Sequence, residues 1–156
     1  STIKYNKYNH YLLMSTHLFP YISLYQKDEN FFSLHKKPTP KVQYKITDQQ
    51  LTVSYDKEEK KYTDIPLDIA LLKDYIIMVK SDPKLSDMDT KSTRGIRDLG
   101  HLPTNLFMYD YDLNLIKILS TNIPILRLAS EGNTNEFFFI GIDVDFSIYR
   151  FNIDEI

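Results

Sequence analysis

The sequence contains no cysteine, no tryptophan and only four glycines in 156 residues. Without thiols, disulfides, thiolate zinc sites, iron–sulfur clusters and cysteine nucleophiles are excluded. The lack of cysteine does not identify a compartment, because it suits an oxidising exterior and the cytosol equally. Scarce glycine shifts turn positions onto Asn and Asp, which bond their own backbone and tolerate left-handed φ. No apolar run approaches the ~20 residues that span a bilayer as a helix. Ser1-Thr2-Ile3-Lys4-Tyr5 is not a signal peptide, and the missing initiator Met predicts a processed or truncated piece of a longer protein. Charge of one sign is also lacking. Nineteen basic and 21 acidic residues leave a net charge of −2, which offers no long-range attraction to nucleic acid or an anionic membrane.

What the sequence has in abundance is aromatic residues. Twelve Tyr and nine Phe bring the aromatic content to 13%, suited to pleated, half-buried strands. One local pattern recurs. Leu106-Phe107-Met108-Tyr109-Asp110-Tyr111-Asp112-Leu113-Asn114-Leu115-Ile116 reads as a strand, a polar turn and a second strand. Ile22-Ser23-Leu24-Tyr25-Gln26-Lys27-Asp28-Glu29-Asn30-Phe31 reads the same way. Phe146-Ser147-Ile148-Tyr149-Arg150-Phe151-Asn152-Ile153-Asp154 is a third copy, and Leu51-Thr52-Val53-Ser54-Tyr55-Asp56-Lys57 a weaker fourth. Hairpins repeated every few tens of residues predict stacked four-stranded units.

Four units follow, at residues 9–36, 41–65, 66–121 and 122–156. The first holds strands at 9–15, 21–26 and 31–35, ended by Lys36-Lys37-Pro38-Thr39-Pro40, since proline removes a donor and restricts its predecessor. In the second, Val42, Tyr44 and Ile46 alternate with polar residues, and the run Asp56-Lys57-Glu58-Glu59-Lys60-Lys61 is a solvated turn. Thr63-Asp64-Ile65-Pro66 opens the third and its counterpart Thr121-Asn122-Ile123-Pro124 the fourth. Residues 67–72 are compatible with a helical turn by periodicity, but the matching Ile125-Leu126-Arg127-Leu128 argues for strand. Tyr75-Ile76-Ile77-Met78-Val79 and Phe137-Phe138-Phe139-Ile140 are apolar without alternation, which predicts burial on both faces. No fourth strand is evident after Asn152.

The unit from Ile65-Pro66 through Tyr75-Ile76-Ile77-Met78-Val79 and Leu106-Phe107-Met108-Tyr109-Asp110-Tyr111-Asp112-Leu113 to Ile116-Lys117-Ile118 resembles one blade of a six-bladed β-propeller. It resembles especially the TolB-like propellers common in exported proteins of Bacteroidetes. The resemblance runs from about residue 9 to residue 153. It implies an exported or periplasmic location and a binding or scaffolding role, and it transfers no catalytic residues. Six blades of ~40 residues need roughly 240 residues, so this chain supplies about three and a half. It resembles the C-terminal part of a propeller, or a chain that closes its ring by association.

Candidate chemistry concentrates in the irregular stretch 81–104, a length that in a compact domain is usually functional or disordered. Arg94 and Arg97 offer bidentate forks to a carboxylate or phosphate, or pair with Asp87, Asp89 or Asp98. His101 beside them is the most plausible functional histidine, with a backbone-bonded loop His as the plainer reading. Asp-x-Asp occurs at Asp87/Asp89, Asp110/Asp112 and Asp143/Asp145. Two carboxylates on one strand face could contribute to a Ca²⁺ site, but Ca²⁺ takes six to eight oxygens. Asp87/Asp89 in the loop is the better candidate, and the other two pairs suit turn capping. His10, His17 and His35 lack metal-ligand spacing. There is no Gly-x-Ser-x-Gly elbow, and Gly95 and Gly100 lack the context of a phosphate loop.

These readings converge on an all-β protein of repeated antiparallel four-stranded units, a partial β-propeller of about three to four blades. The expected function is a non-enzymatic binding or protein-interaction module that associates with itself or another protein through open sheet edges. The alternative is a hydrolase or lyase acting on a carbohydrate or other anionic substrate. Arg94, Arg97 and His101 would then clamp and protonate the substrate, with Asp87 and Asp89 binding a metal.

Overall fold

The computed structural model describes residues 2–16, 21–36, 42–47, 50–55, 66–80 and 102–156. For 42–47 and 50–55 the description is of the backbone. The described chain is all-β, a series of antiparallel meanders in chain order. The first sheet holds β1 (Thr2–Asn6), β2 (Tyr11–Ser15), β3 (Ile22–Asp28) and β4 (Phe31–Lys36), each paired to the next. A hairpin follows, β5 (Val42–Thr47) with β6 (Gln50–Tyr55). The central sheet holds β7 (Pro66–Leu71), β8 (Ile76–Lys80), β9 (Asn105–Tyr109) and β10 (Leu115–Ser120). The last sheet holds β11 (Ile125–Ala129), β12 (Glu136–Ile142) and β13 (Phe146–Asn152).

Among the described residues the four-stranded unit thus occurs twice. The first sheet gains β1, because the alternation of Ile3 and Tyr5 with Lys4 and Asn6 pairs edge to edge with β2 from Thr2↔Ser15 to Asn6↔Tyr11. Residues 67–71 are strand, as the parallel with residues 125–128 requires. The second unit shows two strands among the described residues. The copy at residues 146–154 departs from the repeat. Asn152 ends β13 and accepts from the Asp154 amide at 3.1 Å, so the chain enters a 3-10 turn, Ile153–Glu155, instead of a second strand.

The hairpin turns show how Asx chemistry replaces glycine. Asp110 Oδ1 accepts from the amides of Asp112 at 2.9 Å and Asn114 at 2.8 Å, and Oδ2 accepts from the Asn114 side chain at 2.9 Å. That lets Leu113 take a left-handed φ of 60°. Glu29 and Asn122 turn their loops with φ of 42° and 56°. Desolvation pushes the Asp110 carboxyl up, but the bonds from Asn114 and Asp112, with help from Lys36, outweigh it and hold the group below its ordinary 3.8.

The sheets stack face to face. Leu13 and Leu24 of the first sheet meet Ile69, Leu71, Ile76 and Met78 of the central sheet. Ala70, Leu72, Ile77 and Val79 on its opposite face meet Ile125, Leu128, Phe137 and Phe139 of the last sheet. The central sheet is therefore covered twice, which is why β8 reads Ile-Ile-Met-Val without alternation.

Polar bonds tie the three sheets together at their first strands. Asn6 donates through Nδ2 to Leu72 O and to Gly132 O, both at 2.9 Å, and accepts from the Tyr8 amide at 2.9 Å. Tyr111 donates to the same Leu72 carbonyl at 2.5 Å. Asp68 accepts from Ile69 N at 2.9 Å and from Leu128 N at 2.8 Å, and lies 3.7 Å from Lys4 Nζ. Nearby, Asn135 donates to Asp74 and Asp154, each at 2.9 Å.

Asn6→Ala removes an amide shared by three sheets and leaves buried carbonyl capacity unmet. Urea unfolding should show a loss of about 1–3 kcal/mol. Gly132→Ala should destabilise as well, since φ is +84° and an added Cβ would stand 2.8 Å from the Asn6 carboxamide. In the double variant that clash is gone, so the two losses should sum to more than the measured one. Strict additivity would show that the two groups are not coupled.

Asp110 supplies a second expectation. Its folded pKa lies below the unfolded one, so its contribution is present above about pH 4 and lost as pH falls through the folded value. The thermal stability gap between wild type and Asp110→Asn, open at pH 7, should close in acid. A gap that stays constant with pH would contradict the turn's role.

Candidate functional site

Five sequence candidates, Asp87, Asp89, Arg94, Arg97 and His101, lie outside the described residues, as do residues 81–101 of the candidate loop 81–104. Its return is described. Pro103 O accepts from Ile125 N at 2.8 Å, and Thr104 O accepts from Thr121 N at 3.0 Å. These bonds tie the end of the loop to the entry of the last sheet.

The other candidate groups have structural partners. Asp110 organises its turn, and Asp112 lies 3.3 Å from His35 Nε2. The His35 ring packs edge-on against Tyr11, with centroids 5.3 Å apart. Tyr11 stacks on Tyr111 at 4.4 Å, joining the first and central sheets. His10 Nδ1 is 3.3 Å from the Tyr5 hydroxyl. Asp145 accepts from the Phe146 amide at 2.7 Å within its hairpin turn. Among the described residues no group of three or more His, Asp or Glu is placed to hold a metal ion. No described helix is long and apolar enough to cross a membrane.

What the sequence did not single out is the outer face of the last sheet. Strand alternation separates its two sides. Phe137 and Phe139 on β12 are buried against the central sheet, with Tyr149 and Phe151 of β13 packed beside them. Phe139 stacks on Tyr149 with centroids 4.8 Å apart, and Phe137 on Phe151 at 5.6 Å. The opposite side carries Phe138 across from Arg150, Ile140 across from Ile148, and Ile142 across from Phe146. Ile148 is 75% exposed and Phe146 68%. The run Phe137-Phe138-Phe139-Ile140, expected to be buried on both faces, is thus covered on one face.

The far end of the same face is polar. A shallow open groove is lined by Glu131, Asn133, Glu136, Phe138, Arg150 and Asp154, among others. Arg150 donates through Nε to Glu136 at 2.6 Å and also pairs with it through Nη2. That hydrogen bond, followed by the Glu136 charge, raises the Arg150 pKa, so the guanidinium stays charged. The groove therefore holds three carboxylates against one cation.

The first sheet has a matching outer side. Lys4, Leu13 and Leu24 point to the central sheet, so Ile3, Tyr5, Leu12, Tyr25 and Leu34 occupy the other face. Tyr5 meets Phe32 edge-on at 5.8 Å. Ile3 is 60% exposed and Leu34 54%. Lys27 lies on this side across from Phe32. No protein-family model matches the chain, and no curated protein matches it either.

Proposed function

We propose that this protein is a non-enzymatic protein-interaction module that works through the outer faces of its two terminal sheets. The supporting observation is the mismatch at β12. Its sequence is apolar on both sides, like that of β8, yet among the described residues the central sheet alone covers it. An apolar face left open on a monomer marks a surface that takes a partner. The first sheet repeats the mismatch with Ile3, Tyr5, Phe32 and Leu34.

The covered and uncovered faces belong to stacked meanders, which suits an arc of β-propeller blades related to the TolB-like proteins. An exported or periplasmic setting is part of that reading. The partner presents an apolar β-sheet face with cations at one end, to meet Glu131, Glu136 and Asp154.

A photo-reactive amino acid at position 34 or 148 tests this reading, with position 117 on the exposed β10 as control. The chain should crosslink to a polypeptide from 34 and 148 and not from 117, whether alone or in an extract of its source cells. Equal yields at all three positions, or none, would overturn the reading.

A further inference from the structure

We infer that the partner is a second copy of this chain, with the outer face of the first sheet in one protomer seated on the outer face of the last sheet in the other. The inference rests on the interaction-module reading above and names its partner.

The stack itself specifies the pairing. The first, central and last sheets follow one another with the same sense, and their first strands converge. Asn6 at the end of β1 reaches Leu72 after β7 and Gly132 after β11. Each sheet offers one side to its predecessor and the other to its successor. The uncovered side of the last sheet is of the successor kind, matching the central-sheet side that carries Ala70, Ile77 and Val79. The side of the first sheet that exposes Ile3, Tyr5, Phe32 and Leu34 is of the predecessor kind, matching the side that carries Ile69, Ile76 and Met78. A third contact of the same kind joins last to first. The stack of first, central and last sheets in each protomer is then completed by that of the other.

Charge and apolar order agree along this contact. The β1–β2 turn, the β3–β4 turn and the β11–β12 turn all lie at the end marked by Asn6 and Gly132. Lys27 on the first sheet is at that end. So are Glu131, Glu136 and Asp154 on the last. Stacking with the same sense therefore sets a cation against the carboxylate groove, while Ile3, Tyr5 and Leu34 meet Ile140, Ile148 and Phe146.

The area is adequate. Seven exposed apolar side chains, at roughly 150–200 Å² each when whole, leave on the order of 700 Å² accessible per protomer. A standard interface takes about 800 Å² from each partner. A last-on-first contact is heterologous, so two copies close on each other where one stack of sheets spans half a turn, and the measured mass separates that dimer from an open filament.

Light scattering coupled to size exclusion tests the pairing on the full chain and two surface variants, Ile148→Lys and Leu34→Glu. Wild type should run at twice the 18.4 kDa chain mass. Each variant alone should run as a folded monomer by circular dichroism. An equimolar mixture should return to twice the chain mass, because one contact is then wild type and the other opposes introduced charges of opposite sign. A wild-type monomer would overturn the inference. So would a variant that still dimerises, which indicates like-on-like pairing, or a mixture that stays monomeric. A monomeric mass with crosslinks from 34 and 148 to a foreign polypeptide would remove the second copy as partner and keep the interaction module. Monomeric mass with no crosslink would remove both.

Discussion

The Asn6 carboxamide is the constraint on which the arrangement depends. β-sheets stacked through apolar side chains alone can slide, because dispersion and hydrophobic contact have little direction. Asn6 fixes the offset. Its two amide hydrogens reach carbonyls of two other sheets, and its oxygen closes its own turn. Gly132 is required there because the backbone approaches too closely for a Cβ. Asp68 supplies a second fix, bonding its own strand and β11 while Lys4 of β1 stands beside it. Both residues sit on or just after the first strand of their sheet, so the sheets are pinned where they converge and spread where their later strands lie.

Pinning at one edge has a consequence for the surface. The last strands, β4, β10 and β13, are mostly exposed, and each carries large apolar residues. The central sheet can afford apolar residues on both sides because neighbours cover both. The terminal sheets use similar residue patterns with half the cover. The same physical rule that builds the core therefore leaves two exposed apolar faces of opposite sense, with Glu131, Glu136 and Asp154 at one end of the last sheet and Lys27 at the corresponding end of the first.

Strand positions were legible where local chemistry is strong. The Asp110 and Glu29 hairpins and the strand at residues 67–71 follow from turn residues and apolar runs. β1 was missed because a five-residue alternating segment at a terminus resembles any polar tail until β2 pairs with it. No strand was evident after Asn152, and there the chain enters a 3-10 turn capped by that residue. The open face of β12 was invisible in principle. Phe137-Phe138-Phe139-Ile140 says that both sides want cover, but only the stacking order decides which side receives it. Likewise, Asn6 bonds across 66 and 126 residues of chain, a separation that no local pattern encodes.

Native-state hydrogen exchange tests the central claim, that the three sheets behave as one pinned unit. The amides to follow are Leu13 in β2, Ile77 in β8, and Leu128 in β11, whose amide Asp68 binds. The account predicts that all three open together, with the same free energy and the same dependence on denaturant. First-sheet amides that open independently, at a lower free energy than those of the central and last sheets, would contradict it.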